Sequence, residues 1–350
     1  MEYRDDGGRA RMNAIVGSAE MRYTPDGIPS RAIRGGRPIY LQETSFLVSA
    51  KTRSAILILT MLSLGACQDQ IVNEPSESCA LHKVAEVPVD LRGNVPLVPV
   101  VINGRPAKLV LDTGARFTVL REDKLADLGI RFEFAKRATL QGVGNAVTAV
   151  TAKVDKLQLG DLALHGTAMA IADYSFPIEN SAAGLLGTDI LSRYDVDLDL
   201  PHSRITLYHV GLCGSGGPPW QRKYLTIAAQ RINDRLAFPI VLDHQTLVAM
   251  IDTGASPAVT IDRHAALRLG ISEQSLANDR VVTTKGVGAD KLLTHVHQFS
   301  ELAISRDVIQ HPNLPIVSLP SSSPEALVGV GYLKHRHIWL DYGTSQIFVM

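Results

Sequence analysis

The chain has 350 residues, of which 45% are hydrophobic and 20% are charged. These proportions exclude an intrinsically disordered protein, because they provide enough apolar surface for a core. Lys and Arg together number 35, as do Asp and Glu, so the formal net charge is zero. A neutral chain lacks the excess of basic residues that phosphate binding requires, and we expect no nucleic-acid partner.

Residues 51–67 are interpreted as a targeting signal rather than as part of the fold. Lys51 and Arg53 precede an apolar run over residues 55–64, which is too short to span a bilayer as a helix. The charges and the run match the two regions of a secretory signal. The run ends in Leu64-Gly65-Ala66-Cys67, which resembles a bacterial lipobox and implies that Cys67 is acylated. The alternative is a buried helix followed by a free cysteine.

Residues 1–46 precede this signal, are rich in Arg and Gly, and show no apolar periodicity. Since a secretory signal belongs at the start of a chain, one hypothesis is a start codon assigned too far upstream, with translation beginning near Leu47 or Val48. The alternative is a disordered cytoplasmic extension before an uncleaved anchor. Residues 1–67 are therefore interpreted as a leader plus signal peptide.

The lipobox implies a periplasm-facing lipoprotein of the bacterial envelope, and Gln68 after the cysteine favours the outer membrane. Polar residues follow, and we predict a flexible tether over 68–90. The spacing of the cysteines excludes a C-x-x-C zinc or redox motif. If Cys67 carries lipid, Cys79 and Cys213 form an even pair in an oxidising compartment. A disulfide and two free thiols are then the alternatives.

The remainder of the chain repeats one plan. Residues 98–115 and residues 238–255 each read as an apolar strand, a turn, a second apolar strand and Asp-Thr-Gly-Ala. The first turn is Asn103-Gly104, a strong hairpin signal. Further matched landmarks follow each copy in the same order: Leu128-Gly129-Ile130 and Leu269-Gly270-Ile271, Gly142-Val143-Gly144 and Gly286-Val287-Gly288, Leu185-Leu186-Gly187 and Leu327-Val328-Gly329, Leu198-Asp199 and Leu340-Asp341.

The repeat predicts two β-rich lobes, over 91–210 and 223–350, joined by a Gly- and Pro-rich linker over 211–222. We expect few short helices, because no long amphipathic pattern occurs. A duplicated lobe packs about a pseudo-twofold axis, so the protein is predicted to be a monomer with pseudo-dimeric lobes.

The duplicated Asp-Thr-Gly-Ala motif has a chemical explanation. Two carboxylates about 3 Å apart cannot both ionise, so Asp112 and Asp252 would share one proton and act together as base and acid on water. Such a pair titrates as a unit. The flanking residues suit this arrangement, since glycine permits a tight turn, its amide can bind a carboxylate, and threonine hydroxyls can link the two loops: Thr113, Gly114, Ala115, Thr253, Gly254 and Ala255.

Residues 90–350 resemble the retropepsin-like aspartic peptidases, especially single-chain bacterial members, through the motifs at 112–115 and 252–255 and the later Leu-Leu-Gly and Leu-Val-Gly. The resemblance implies an all-β, two-lobed retropepsin/pepsin-like acid protease fold and an endopeptidase that acts on proteins or peptides. It implies no metal or organic cofactor. It also implies two substrate-covering flaps with these tips: Gly142, Val143, Gly144, Gly286, Val287 and Gly288.

The alternative to a peptidase is a non-catalytic, envelope-anchored protein that holds a peptide in the same cleft. Loss of one aspartate would favour this alternative, but both are present. If the chain is a peptidase, a lipid anchor favours one dedicated envelope target over broad digestion.

Two other groups of residues are expected to be unremarkable. The His295-Val-His297 and His335-Arg-His337 pairs are predicted to lie on solvated strand faces rather than to bind metal, because no acidic or cysteine cluster accompanies them. Asp195, Asp197 and Asp199 alternate along a strand and are expected to face solvent or a turn.

Overall fold

A computed structural model describes residues 13–14, 20–23, 81–92, 94–131, 137–173, 181–209, 217–286, 289–321 and 323–350. The chain divides into one unit of residues 1–24 with 79–350, and a second unit of residues 25–78 that lies outside the described ranges. The predicted all-β fold is confirmed, since the described ranges hold 26 strands and four short α-helices.

The strands of the N-terminal segment and of lobe 1 are β1 (Asn13–Ala14), β2 (Glu20–Tyr23), β3 (His82–Pro88), β4 (Asp90–Arg92), β5 (Val95–Ile102), β6 (Arg105–Leu111), β7 (Val119–Arg121), β8 (Arg137–Gln141), β9 (Ala146–Leu159), β10 (Leu162–Ala172), β11 (Gly184–Leu186), β12 (Asp195–Asp199) and β13 (Arg204–His209). Lobe 1 also contains α1 (Thr188–Leu191) and 3₁₀ turns at Glu122–Lys124 and Leu200–His202.

The strands of lobe 2 are β14 (Leu225–Ala228), β15 (Gln230–Ile232), β16 (Arg235–Leu242), β17 (Gln245–Ile251), β18 (Val259–Asp262), β19 (Arg280–Gly286), β20 (Ala289–Gln298), β21 (Glu301–Ile304), β22 (Asp307–Gln310), β23 (Asn313–Val317), β24 (Ala326–Val328), β25 (His337–Asp341) and β26 (Gln346–Val349). Its helices are α2 (Arg263–Arg268), α3 (Glu273–Asn278) and α4 (Val330–Leu333).

Each lobe is built on a large sheet, and the two sheets share one plan. The order in lobe 1 is β2-β8-β9-β10-β7-β11-β6-β5-β4. The order in lobe 2 is β1-β19-β20-β23-β18-β24-β17-β16-β21-β22, with β15 on β16. In both lobes the Leu-Leu-Gly or Leu-Val-Gly strand lies between the strand before the Asp-Thr-Gly loop and the strand after it. The predicted duplication is therefore confirmed.

The hairpin that precedes each Asp-Thr-Gly loop has a two-residue turn with positive φ angles. Asn103 and Gly104 join β5 to β6 with φ values of 50° and 79°, as the Asn-Gly pair predicts for a two-residue hairpin. Asp243 and His244 join β16 to β17 with φ values of 46° and 65°. The left-handed turn is thus kept in lobe 2 without a glycine, because the hairpin geometry requires positive φ at both positions.

A third sheet joins the lobes and was not predicted from the sequence. Its order is β14-β26-β25-β12-β13-β3, and β12 of lobe 1 pairs with β25 of lobe 2 through Val196 and Leu340. Strand β3 lies within the segment that was predicted to be a flexible tether. It is ordered because Ala85 and Val87 alternate into the core, which fits a strand with one buried face.

The expectation that Asp195, Asp197 and Asp199 face solvent is wrong, since all three are buried. They lie on the face of the joining sheet that is opposite its aliphatic residues, and this face is covered. Trp220 stacks on His337 with ring centroids 4.3 Å apart, and His337 contacts Asp197 at 2.6 Å. Trp220 of the linker region therefore helps to shield Asp197, which the alternation of polar and apolar residues along the strand had predicted to face solvent.

The predictions for Cys67, Cys79 and Cys213 fall outside the described residues, as does the signal segment. Among the helices that the structure describes, none has the length and apolarity needed to cross a membrane.

Candidate active site

Asp112 and Asp252 each follow the end of an apolar strand, β6 and β17 respectively. The neighbouring short strand holds the backbone at this point, because the amide of Asp112 donates to the carbonyl of Leu186 at 3.0 Å. The amide of Asp252 donates to the carbonyl of Val328 at 2.9 Å. The hydrophobic-hydrophobic-Gly strands thus position both aspartates.

Both carboxyl groups are buried and are held in the same manner. The amides of Gly114 and Ala115 donate to Oδ1 of Asp112 at 3.0 and 2.8 Å. In lobe 2, Oδ1 of Asp252 accepts from the corresponding two amides at 2.9 and 3.1 Å. The other oxygen of each group, Oδ2, is buried and has no hydrogen-bond partner within the described residues. The charge of Asp252 acts on Asp112, and two carboxyl groups that interact in this way favour a proton on one of them.

Thr113 and Thr253 link the two loops across the pseudo-twofold axis. The amide of each donates to the hydroxyl of the other, at 3.0 and 3.1 Å. Each hydroxyl then donates into the opposite lobe, Thr113 to the carbonyl of Ile251 at 2.9 Å and Thr253 to that of Leu111 at 2.7 Å. The four bonds fix the position of each aspartate relative to the other lobe.

Gly114 is the point of closest approach between its loop and the opposite carboxyl group. A Cβ atom at this position would lie 2.3 Å from Cγ of Asp252. No side chain can be accommodated there without moving the carboxyl group. The glycine of the motif is thus required by space.

Burial dominates the electrostatics of the pair. Desolvation raises the pKa of Asp112 well above its usual value, and the negative charge of Asp252 raises it further. Desolvation also raises the pKa of Asp252, to about 7, although loop amides and the charge of Arg235 oppose this shift. A singly protonated pair can therefore exist near neutral pH, which is the state that acid–base catalysis needs.

The structure describes most of the two hairpins that are predicted to be flaps. Residues 142–145 join β8 to β9, and Gly286 ends β19. The tips touch, because a Cβ atom on Gly286 would lie 2.0 Å from the carbonyl oxygen of Val143. The Val143 side chain is fully buried in an apolar cluster of lobe 2 that includes Met250, Ala255 and Leu327. Val287 and Gly288 lie outside the described residues.

The outer edges of both flap strands bind extended backbone from the N-terminal segment. Strand β1 runs parallel to β19, with Asn13 opposite Thr284. Strand β2 runs antiparallel to β8, with Glu20 opposite Gln141. Strands β8 and β19 are related by the pseudo-twofold axis. An extended chain that crosses this axis runs antiparallel to one of the two strands and parallel to the other, as β2 and β1 do. The outer edges of β8 and β19 are thus able to pair with an extended peptide.

The lobes differ behind the active-site loops. In lobe 1, Asp189 accepts from the amide and the hydroxyl of Thr118 at 2.9 and 2.7 Å. In lobe 2, Gly331 takes the corresponding place, and a Cβ there would lie 2.6 Å from the amide nitrogen of Ala258. Direct backbone packing in lobe 2 thus replaces a carboxylate bridge in lobe 1.

Arg235 is a residue of the site that sequence reasoning missed. Its side chain is buried in lobe 2, and Nη1 donates to the carbonyl of Gly114 in lobe 1 at 3.3 Å. The available signal was a charge at the start of an apolar strand, where the first copy has Val95.

The two histidine pairs were predicted to lie on solvated strand faces. His297 contacts Asp279 at 2.7 Å, and His337 contacts Asp197, so neither lies on the solvated face that was predicted. His335 is exposed. Within the described ranges, no group of three or more metal-binding side chains occurs.

Comparison with known families agrees with this geometry. A family model described as aspartyl protease matches residues 98–190 and again residues 238–332, which together exceed half of the chain. The chain therefore belongs to the retropepsin-like aspartyl protease family. No curated protein matches the sequence significantly.

Proposed function

We propose that the protein is an aspartic endopeptidase and that Asp112 and Asp252 are its catalytic residues. The observation that carries this proposal is the arrangement of two buried carboxyl groups, each held by its own loop amides, on two loops that hydrogen-bond to each other through their threonines. One shared proton makes such a pair both base and acid.

The proposed reaction uses water as the nucleophile. The ionised carboxylate takes a proton from water while the water oxygen bonds to the scissile carbonyl carbon, and the protonated partner gives its proton to the carbonyl oxygen. Collapse of the resulting diol breaks the C–N bond, and the first carboxyl passes its new proton to the leaving amine. The diol returns a proton to the second carboxyl, so the pair regains its starting state.

The substrate is proposed to bind as an added strand between the flaps and the active-site loops. The pairing of β1 with β19 and of β2 with β8 supports this mode, since it shows both flap edges occupied by extended backbone. Burial of Val143 over lobe 2 supports exclusion of bulk water when the flaps close.

The location and the target are proposed from the sequence. Acylation at Cys67 would tether the enzyme to the envelope, with the outer membrane favoured, and would limit its substrates to envelope or secreted proteins. Metabolic labelling with a radioactive fatty acid tests the first step. Label in the wild type that is absent from Cys67→Ser supports the anchor, and equal label in both contradicts it.

A diverse peptide library is the direct test of the activity. The full-length chain and a chain trimmed to residues 81–350 would each be incubated with it from about pH 4 to about pH 8, with cleavage read by mass spectrometry. We expect cuts within the peptides, and more from the trimmed chain if β1 and β2 compete with substrate for the flap edges.

The same experiment separates the second candidate, a peptide-binding protein without catalysis. Its control is a pair of variants, Asp112→Asn and Asp252→Asn, which keep the shape of the carboxyl groups. Cuts made by wild type and by neither variant support the proposed enzyme. Peptides that are retained but uncut by wild type at every pH support the binding protein.

A further inference from the structure

One buried cation breaks the symmetry of the two active-site halves. Arg235 is the first residue of β16, and Val95 is the first residue of β5, the corresponding strand of lobe 1. The hairpin registers establish this correspondence, because Phe238 pairs with Ala249 as Val98 pairs with Leu109. Both strand-initial side chains are almost fully buried, at 2% and 1% exposure. One lobe thus buries a charge where the other buries an isopropyl group.

The guanidinium group of Arg235 approaches the pair at Gly114. It crosses from lobe 2 to donate to the Gly114 carbonyl, and Gly114 is itself pressed against the carboxyl group of Asp252. The charge of Arg235 acts on Asp252, whereas Asp112 is affected by burial and by the negative charge of Asp252. A nearby positive charge favours the ionised form of a carboxyl group.

We propose that Arg235 is a positioning residue that makes the two aspartates unequal, so that Asp252 is the ionised base and Asp112 holds the proton. In the reaction above, Asp252 therefore accepts the proton of the attacking water and later delivers it to the leaving amine. Asp112 gives its proton to the carbonyl oxygen and recovers one when the diol collapses. The inference rests on the proposed peptidase function.

The geometry also gives Arg235 a way to act on the loop itself. Its bond to the Gly114 carbonyl holds the loop whose amides bind Asp112, so the same side chain acts on both aspartates. The ionisable groups that act on Asp252 are Asp112 and Arg235. Removal of the guanidinium therefore leaves the buried carboxylate of Asp252 without a compensating positive charge.

The test compares the pH profile of kcat/KM for wild type, Arg235→Met and Arg235→Lys in the full-length chain. Loss of the charge should raise the acid limb of the Met variant by about one pH unit or more, because Asp252 then ionises at higher pH. The Lys variant keeps the charge and should keep the acid limb near that of wild type. Val95→Met places a methionine at the equivalent position of lobe 1 and should leave the acid limb unchanged.

Two outcomes would overturn the inference. One is an equal loss of kcat/KM at every pH in Arg235→Met with an unmoved acid limb, which is the result of a purely structural role. The other is an equal shift in the Met and Lys variants, which would exclude the charge as the cause. Carbon-13 NMR titration of labelled aspartate carboxyl groups reads the same shift without turnover, and it covers a variant too damaged to cleave.

The two proposals fail in different ways. If wild type cleaves no peptide, the peptidase function is contradicted, and the NMR titration still reports whether Arg235 acts on the buried pair. If wild type cleaves and the variants leave the acid limb unmoved, the role of Arg235 alone is contradicted.

Discussion

The hydroxyl groups of Thr113 and Thr253 each accept a hydrogen bond from the backbone amide of the other residue, across the boundary between the lobes. All the groups involved are buried, so water cannot replace a lost partner. The bonds are reciprocal because the two loops are copies of one sequence related by the pseudo-twofold axis. The position of one aspartate is thereby coupled to that of the other.

The first prediction concerns this pair. Thr253→Val removes the acceptor for the Thr113 amide and the donor to the Leu111 carbonyl. Each buried group left without a partner costs about 1–3 kcal/mol. We therefore expect Thr253→Val to lower the free energy of unfolding several times more than Thr253→Ser does. Thr253→Ser keeps the hydroxyl and is the matched control. Urea denaturation curves measure both, and equal losses in Val and Ser would contradict the role of the hydroxyl.

The second prediction concerns a carboxyl pair in the joining sheet. Asp195 of β12 is fully buried, and neither of its carboxyl oxygens has a hydrogen-bond partner within the described residues. Burial, followed by the charge of Asp341 in β25, raises the pKa of Asp195 to about 7. At the symmetry-related position, Asp199 faces His337 instead. There, burial raises the pKa of Asp199, but hydrogen bonding to His202 and neighbouring positive charges bring it below its usual value.

The sign of the pH effect follows from these shifts. Asp195 holds its proton in the folded state to about pH 7, whereas the unfolded chain loses it at an ordinary aspartate pKa. The free energy of unfolding should therefore fall as pH rises through that window, by on the order of 2–4 kcal/mol. On the edge of β12 that faces away from β25, Asp195 is paired with Tyr208 of β13.

Asp195→Asn isolates this contribution, because an amide has nearly the same shape as the carboxyl group and does not titrate. Thermal unfolding from about pH 4 to about pH 8 should show a steeper decline for wild type than for the variant. Parallel declines in the two proteins would show that the Asp195–Asp341 pair does not contribute.

The third prediction concerns closure of the lobe 1 flap. Val143→Asp would bury a carboxylate among Met250, Ala255 and Leu327 whenever the flap closes, which is costly. We expect kcat/KM to fall by about tenfold or more, equivalent to about 1.4 kcal/mol. Val281→Asp on the lobe 2 flap strand is the matched control, since Val281 is 46% exposed. Equal effects at the two positions would contradict flap closure as the cause.

Local sequence patterns were sufficient to predict the duplicated lobes and the pairing of the two Asp-Thr-Gly loops. Asn103-Gly104 specifies its hairpin locally, and the repeat places the two motifs in equivalent strands. Residues close in sequence determine these features, so a single sequence reveals them.

The joining sheet and the role of Arg235 depend on contacts between distant segments. Strand β12 pairs with β25 of the other lobe, and no period within either strand encodes that choice. Asp195 alternates as an exposed residue would, but it is fully buried beside Asp341 of the second lobe. Arg235 interrupts an apolar strand, and only the fold shows that its charge reaches the opposite loop.

The most direct test of the central claim is a comparison of kcat/KM for wild type, Asp112→Asn and Asp252→Asn on one peptide that the library identifies. The profile would run from about pH 4 to about pH 8. Loss of acid–base catalysis predicts a fall of about a hundredfold or more in each variant. Wild-type activity should rise with pH as the pair loses its first proton, and burial, which raises the pKa of Asp252, moves this rise above the usual range of an aspartate. Substantial cleavage by either Asn variant would contradict the claim that the two aspartates act together.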